Sequence, residues 1–144
     1  MNSKKIFTLL LIATSLFVNA QEKQKVKKLP AEATTFLDVN FKGIQIQEMH
    51  KEKEGTSFKY EVKLVNGTEI EFNNRGRWRE VESKTTSLPT TMLQTTVGEY
   101  IQKTYPGAKV TEIKKGVRFN FVEINDNLNL QFDSAGNFYK ILKD

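Results

Sequence analysis

The chain has 144 residues, of which 27% are charged and none is cysteine, and its formal net charge is +5. This length suits one domain, and the lack of cysteine excludes disulfides, thiol nucleophiles and cysteine-based zinc sites. Basic residues are interspersed with glutamates outside residues 23–28, so there is no basic stripe of the kind that lines a nucleic-acid groove. We therefore predict no nucleic-acid partner.

Residues 1–20 are predicted to form a secretory signal peptide. Two lysines precede an apolar run over residues 6–18, and small residues lead to a cleavage site near Ala20-Gln21. The run is too short for a stable membrane span, so we expect a periplasmic or secreted protein with no membrane insertion after cleavage. Residues 21–28 are then predicted to form a flexible basic N-terminus.

Residues 29–144 are predicted to form a single domain made of two repeats, 29–84 and 88–144. Each repeat starts with Leu-Pro and an apolar stripe at helical spacing, which predicts a short amphipathic helix. The second helix is predicted to follow Pro89 directly and to be the longer of the two. Four stretches of alternating apolar and polar residues then follow each helix, and their short turns predict antiparallel strands.

The best-defined turn is Asn66-Gly67, which predicts a type I′ hairpin because both residues tolerate positive φ. On the flanking strands the apolar residues share one face, whereas Glu61, Glu69 and Glu71 lie on the other. The predicted fold class is α+β: a tandem duplication of an α-β4 unit, with an antiparallel sheet and helices on one face, in two layers. Since one repeat buries too little surface alone, the two sheets are expected to join edge to edge.

The turns and apolar positions of the two repeats follow one pattern. In the first repeat its residues are Leu29-Pro30, Tyr60, Val62, Leu64, Asn66-Gly67, Ile70, Phe72, Gly76 and Trp78. In the second they are Leu88-Pro89, Tyr105-Pro106-Gly107, Leu130, Phe132-Asp133, Gly136 and Phe138. This pattern resembles the PepSY-like, or beta-lactamase-inhibitor-like, proteins of Bacteroidetes over the whole mature chain. The second repeat departs from it where Asn120 replaces Tyr and Asp126-Asn127 replaces Asn-Gly.

The resemblance implies a secreted or periplasmic domain of the beta-lactamase-inhibitor-like fold without enzyme activity, and it transfers no catalytic residues. The family name suggests a protein that binds or inhibits another protein. The residues offer little chemistry of their own, because His50 is the only histidine and lies in a polar stretch. The oxygen-rich run at residues 125–129 lacks the glycine and glutamate of a calcium loop, and a hairpin turn explains it. We predict no catalytic, cofactor-binding or metal-binding residues.

One difference between the repeats points to a surface. Sixty residues separate equivalent positions, and three charged residues of the first repeat become aromatic in the second. The equivalent pairs are Lys59 and Phe119, Glu61 and Phe121, and Arg79 and Tyr139. Exposed aromatic residues grouped on a sheet are typical of protein-binding surfaces, so we predict a recognition patch at these three aromatic positions. The residues predicted to neighbour the patch are Arg77, Trp78 and Arg79.

The function predicted from these features is that of a non-enzymatic exported binding module, which recognises another exported protein through a sheet surface. The alternative is a periplasmic binder of a small molecule or cell-envelope polymer in a cleft between the repeats. The aromatic face also allows a homodimer. Other interpretations bury the aromatic residues under a self-association contact, under the N-terminal segment or through a shifted strand register.

Overall fold

The computed structural model describes residues 22–142, so the predicted signal peptide and its cleavage site lie outside the described residues. Over this range the chain forms one antiparallel sheet with two α-helices and a short 3-10 helix. The helices are α1 (Ala31–Asn40) and α2 (Thr95–Thr104), and the 3-10 helix covers Thr90–Met92. The strands are β1 (Gln24–Lys25), β2 (Ile46–Glu54), β3 (Ser57–Leu64), β4 (Glu69–Asn73), β5 (Trp78–Glu82), β6 (Val110–Lys115), β7 (Phe119–Ile124), β8 (Leu128–Asp133) and β9 (Phe138–Leu142).

The nine strands of the described chain form a single open sheet in sequence order, β1 to β9, and every neighbouring pair is antiparallel. Short turns impose this arrangement, because a parallel return needs a long crossover. Strands β5 and β6 pair through Val81 and Ile113, which joins the two predicted repeats edge to edge. The α+β class and the antiparallel sheet are thus confirmed.

The core is one cluster that contains residues from both helices and from alternate strand positions. The helices contribute Ala33 and Leu37 from α1, and Val97 and Ile101 from α2. The side chains buried most deeply in the sheet include Val62, Leu64, Ile70, Phe72, Val81, Val110, Val122, Ile124, Leu130 and Phe132. Their period of two along each strand is the alternation that the sequence predicts.

The start of α2 differs from the prediction. The helix begins at Thr95 rather than directly after Pro89, and it has 10 residues, the same number as α1. Between Pro89 and the start of α2 lie the 3-10 helix and Leu93, whose backbone is extended. The side chains of Gln94 and Thr96 donate hydrogen bonds to the carbonyl oxygens of residues 134 and 135 in the β8–β9 turn. These tertiary bonds hold the first turn of α2 against the hairpin, a contact that helix propensity does not encode.

The first hairpin turn also differs from the prediction. In the first loop positive φ is confined to Gly67, and Gly67 N–H donates to Leu64 O, which defines a type I turn followed by a left-handed glycine. The type I′ prediction for Asn66-Gly67 is therefore wrong. In the second loop Asn125 and Asp126 both have positive φ, at 54° and 59°. The primed turn thus occurs in the repeat that lacks Asn-Gly.

Strand β1 comes from the segment predicted to be a flexible basic tail. Gln24 pairs with Lys51 and Lys25 with His50, so this segment lies along the edge of β2. Lys23 Nζ lies 2.6 Å from Glu61 Oε2, which adds an ion pair to the backbone pairing. The structure therefore places part of residues 21–28 in the sheet. Neither α1 nor α2, the two α-helices of residues 22–142, is long and apolar enough to cross a membrane.

Candidate functional site on the outer sheet face

The outer face of the sheet is defined here by the strand positions that alternate with the core positions. On β2 to β6 this face is charged, and its central cation is Lys59, whose side chain is 19% exposed. Lys59 Nζ lies 2.7 Å from Glu71 Oε2, 3.2 Å from Glu61 Oε1 and 3.7 Å from Glu52 Oε2. Lys23 reaches Glu61 from β1's end of the sheet. We call these five residues the Lys59 network.

The pKa values within the Lys59 network follow from its contacts. Burial alone would lower the pKa of Lys59, but hydrogen bonds to Glu71 and Glu61 outweigh it and raise that pKa above its ordinary value. Burial would likewise raise the pKa of Glu61, but hydrogen bonds from Lys23 and Lys59 lower it overall. Lys59 and Glu61 are therefore both ionised at neutral pH, and Lys59 is matched by carboxylates of the chain.

The charged area continues toward the middle of the sheet. Arg79 Nη1 donates to Glu54 Oε2 at 2.7 Å and its Nε lies 3.5 Å from Glu71, so this predicted site residue is held by ion pairs on the outer face. Lys114 Nζ pairs with Glu80 at 2.7 Å. Beside that pair, burial and the nearby carboxylates of Glu80 and Glu123 raise the pKa of Glu112 to about 7.

The raised pKa of Glu112 predicts a loss of stability as the pH rises from 4.5 to about 7. An unperturbed glutamate titrates at 4.5, whereas the folded protein holds the Glu112 proton up to about 7. The folded state therefore binds more protons over this interval, and its favourable contribution, complete below pH 4.5, disappears as the pH rises to about 7. Because water reaches part of the side chain, we expect a loss of about 1 kcal/mol.

The measurement is the free energy of unfolding of the parent and of Glu112→Gln at the two ends of that interval. The glutamine variant cannot titrate at this position, so the parent should lose stability relative to the variant as the pH rises. A difference between the two proteins that is independent of pH would contradict the assignment.

On β7 and β9 the outer face is aromatic. The rings of Phe119 and Tyr139 lie with their centroids 4.9 Å apart, and Tyr139 is 59% exposed. Phe121 follows on the same face of β7, and its ring lies near Gly116. None of the three aromatic residues belongs to the core cluster. The structure thus brings Phe119 and Tyr139 together at the surface and keeps Phe121 beside them, and we call these three residues the aromatic cluster.

Gln131 on β8 is a further residue of this region that the sequence did not single out. It is opposite Phe121 on one side and opposite Lys140 on the other. Its side chain is buried, and its Oε1 has no hydrogen-bond partner among the residues that the structure describes. A buried acceptor without a donor is costly, so Gln131 is an unfavourable residue for stability at this place beside the aromatic cluster. Only its alternation with core residues on β8 marks it in the sequence.

Two predicted neighbours of the cluster lie on the opposite face. The ring of Trp78 packs against Phe36 of α1 with centroids 5.6 Å apart, and Lys115 Nζ lies 3.6 Å from the Trp78 ring centroid. Arg77 Nε donates to Glu32 at the start of α1. Arg79 shares the outer face, where β5 is two strands from β7 and four strands from β9, roughly 10 Å and 19 Å away at about 4.8 Å per strand. The structure therefore places Arg77 and Trp78 away from the aromatic cluster, and β6 lies between Arg79 and the cluster residues on β7.

The groove beside Trp78 is the feature that corresponds best to a cleft between the repeats. It has a volume of 610 Å³ and is lined from α1, β5 and the end of β6, with Phe36, Val39, Trp78 and Lys115 in its wall. Burial lowers the pKa of Lys115. Among residues 22–142 the ammonium group of Lys115 contacts the indole ring but no carboxylate within ion-pair distance.

The remaining polar motifs have local roles. His50 lies within β2, where its Nε2 is 3.9 Å from Glu48 Oε2 and its side chain is 20% exposed. Asn125 Oδ1 accepts a hydrogen bond from the Lys109 N–H, and the Asp126 N–H donates to Thr111 Oγ1. The oxygen-rich run thus shapes a hairpin turn. Within the described residues, no three histidine, cysteine, aspartate or glutamate side chains are grouped so as to hold a metal ion.

The open antiparallel sheet with two helices defines a protein of the α+β class. The sequence profile of the family described as "Putative beta-lactamase-inhibitor-like, PepSY-like" matches residues 58–140, which is more than half of the chain. The chain belongs to this PepSY-like family, as its motifs indicate. No curated protein matches the chain significantly.

Solved structures with the same fold come from Bacteroides. One, from Bacteroides thetaiotaomicron, is described as a "putative calcium-regulated periplasmic protein"; it is 27% identical, with a TM-score of 0.80 over 84% of this chain and 97% of that one. A periplasmic protein of Bacteroides vulgatus is 25% identical, with a TM-score of 0.80 over 86% and 99% of the two chains. A second protein of that species, of unknown function, is 27% identical, with a TM-score of 0.80 over 85% and 100%. The chain is thus similar over nearly its full described length to proteins described as periplasmic.

Proposed function

We propose that the protein is a non-enzymatic exported binding module that recognises another exported protein through the aromatic cluster of Phe119, Phe121 and Tyr139. The observation that carries this proposal is the Phe119–Tyr139 ring pair, which lies outside the core with Tyr139 exposed and Phe119 half-buried. Aromatic residues are enriched at protein interfaces because they bury large apolar areas and lose few rotamers on binding.

The contrast with the charged part of the outer face supports the same location. Lys59, Arg79 and Lys114 are matched by carboxylates of the chain, so a partner would have to displace existing ion pairs there. At the aromatic cluster a partner displaces only water, which favours association through apolar burial.

Export and internal duplication belong to the same proposal. The N-terminal sequence has the pattern of a cleaved signal peptide, and the similar proteins of Bacteroides are described as periplasmic. The order of elements, one helix followed by four strands and then another helix followed by four strands, supports two copies of an α-β4 unit in a two-layer domain. The inhibitor-like family supports a role without catalysis.

The test is capture of a protein from the cell envelope of a Bacteroidetes host by the immobilised parent. We expect the Phe119→Ala, Tyr139→Ala variant to keep its circular dichroism spectrum and lose the captured protein, because both rings lie outside the core. Phe58→Ala is the control for loss of an aromatic ring elsewhere, since Phe58 lies on the core-facing side of β3, at the other end of the sheet. Equal capture by all three proteins would refute recognition by the aromatic cluster.

A second candidate function, binding of an anionic small molecule, is favoured by the groove at Trp78 and Lys115. The ammonium group there lacks a carboxylate among the described residues, and the wall is apolar. Trp78 is the only tryptophan of the chain, so an occupant of the groove should change its fluorescence. Titration with octanoate is expected to change the Trp78 fluorescence of the parent but not that of the Lys115→Gln variant. No change in the parent at millimolar octanoate would count against this candidate.

A further inference from the structure

Strand β9 is the last strand of the sheet, and within residues 22–142 no other strand covers its outer edge. At the opposite end β1 lies along the edge of β2. An uncovered strand edge presents unpaired N–H and C=O groups and accepts an additional strand readily. Four of the five residues of β9 are exposed, and three of those are apolar or aromatic: Phe138, Tyr139 and Ile141.

The rest of the sheet shows how a strand fits against such an edge. Val81 on β5 is opposite Ile70, and Ile141 on β9 is opposite Leu130, so β5 and β9 occupy equivalent positions in their halves. Strand β5 is covered by β6, and Val81 is 0% exposed, whereas Ile141 is 43% exposed. Ile141 is thus exposed because no strand of residues 22–142 covers β9, as Val81 would be if β6 did not cover β5.

The same comparison with Val81 shows that the backbone N–H and C=O of Ile141 point away from β8. Ser83 N–H donates to Thr111 O of the neighbouring chain segment. Val81, two residues before Ser83, pairs with Ile113, two residues after Thr111. Because backbone groups alternate along a strand, Val81 also directs its N–H and C=O toward β6. Ile141 is the equivalent residue on β9, so its N–H and C=O are directed away from β8 and toward an added strand.

The charges identify the kind of strand that fits. Lys140 lies on the outer face opposite Gln131, next to the exposed Tyr139 ring. Two copies of β9 paired about their centres would place Lys140 opposite Lys140, which is unfavourable. The lysine-rich segment at residues 23–28 of a second copy repels Lys140 as well, and its β1 already pairs with β2. A strand with a carboxylate opposite Lys140 and an apolar residue opposite Ile141 matches both positions.

We propose that the free edge of β9 binds an extended acidic segment of the partner protein as a tenth, antiparallel strand. The segment forms main-chain hydrogen bonds with Ile141, places a carboxylate next to Lys140 and lies beside the aromatic cluster. This inference rests on the proposed function, because it states how the partner reaches the rings of Phe119 and Tyr139. The edge supplies register and the rings supply apolar burial.

The probe is a synthetic peptide with the sequence of residues 109–116 carrying Lys114→Glu, because residues 110–115 already cover β5 as β6. In the same register it places isoleucine opposite Ile141 and glutamate opposite Lys140. The unsubstituted peptide, which places lysine opposite Lys140, is the matched control. The measurement is the shift of the backbone amide resonances of β9 during titration with each peptide.

We expect the Lys114→Glu peptide to bind the parent about fivefold more tightly than the control peptide, because a glutamate replaces a lysine opposite Lys140. The Lys140→Glu variant should invert this preference. Ile141→Pro should abolish binding of both peptides, because it removes the outward N–H but no hydrogen bond to β8, whereas Ile141→Val should not. If the Ile141→Pro variant does not fold, the inverted peptide preference of the Lys140→Glu variant still tests whether the peptides bind beside Lys140.

Equal binding of both peptides, or shifts confined to other strands, would overturn the inference. So would sedimentation as a dimer that Ile141→Pro abolishes, since a second copy would then occupy the edge. Failure of the proposed function looks different: the Phe119→Ala, Tyr139→Ala variant would still capture the envelope protein, and the Lys114→Glu peptide would still bind β9. A different outcome is capture that depends on the rings and is unaffected by Lys140→Glu and Ile141→Pro. That result would refute strand binding at the edge of β9 and leave the proposed function intact.

Discussion

Gly76→Ala is expected to lower the free energy of unfolding by about 3 kcal/mol or more. Gly76 has a φ of 86°, where a side chain is strained, and it closes the β4–β5 turn against the start of α1. A Cβ atom there would lie 2.7 Å from Pro30 Cβ and 2.9 Å from the backbone nitrogen of Ala33. Neither neighbour is the flexible end of a long side chain, so the helix or the hairpin must shift.

Gly43→Ala is the matched control, because Gly43 has a φ of 80° and an added Cβ would meet nothing within 4 Å. It should show the cost of the backbone conformation alone, about 1 kcal/mol. Gly136→Ala should fall between the two, since its added Cβ would meet the movable ends of Gln94 and Thr96. Urea unfolding followed by Trp78 fluorescence measures all three, and equal losses would contradict the role assigned to the helix contact.

These glycines also show what the sequence could predict. Gly76 and Gly136 recur at one position of the repeated pattern, and the structure places both in left-handed turns against a helix start. The edge-to-edge junction of the two sheets followed from the small surface that one repeat can bury alone. The α+β class and the buried face of the strands followed from alternation and turn spacing. These signals are local and repeat over many residues, so single irregularities did not obscure them.

The errors have a common physical origin. The start of α2 depends on the bonds of Gln94 and Thr96 to a turn about 40 residues later in the chain. The first hairpin turn depends on how many residues the loop contains, which Asn66-Gly67 does not reveal. Strand β1 forms because the basic segment finds the open edge of β2 and the carboxylate of Glu61. The helix start and β1 are decided by distant partners and the turn by the length of its loop, so none of the three is set by the propensity of the local residues alone.

The candidate site divides in the same way. Phe119 and Tyr139 were predicted as neighbours because their equivalents in the first repeat share one face, and their rings do meet. Trp78 was grouped with Arg79 through sequence proximity, although consecutive strand residues lie on opposite faces. A bulge between Glu71 and Phe72 makes the exact register at this point unpredictable from the pattern. The unpaired Oε1 of Gln131 becomes visible only when the packing around it is known.

Lys59→Met is expected to lower the free energy of unfolding by about 2 to 3 kcal/mol at neutral pH. Methionine keeps most of the aliphatic chain but removes the ammonium group that lies within 4 Å of Glu52, Glu61 and Glu71. The side chain of Glu52 is 8% exposed, so the remaining like charges are poorly hydrated and repel each other. Lys63→Met is the control, because Lys63 pairs with the exposed Glu69 and should cost less than about 1 kcal/mol.

The pH dependence separates this electrostatic effect from a loss of packing. The pKa of Lys59 is raised in the folded protein, so its contribution is present throughout the range below 10.5. The pKa of Glu61 is lowered from 4.5, so the stability that it gains from Lys59 is present above that value and is lost as the pH falls further. The deficit of Lys59→Met should therefore shrink as the carboxylates become protonated. A deficit of the same size at pH 7 and at about pH 3 would show that Lys59 acts through its aliphatic chain instead, because protonation of the carboxylates removes the charge repulsion and leaves packing unchanged.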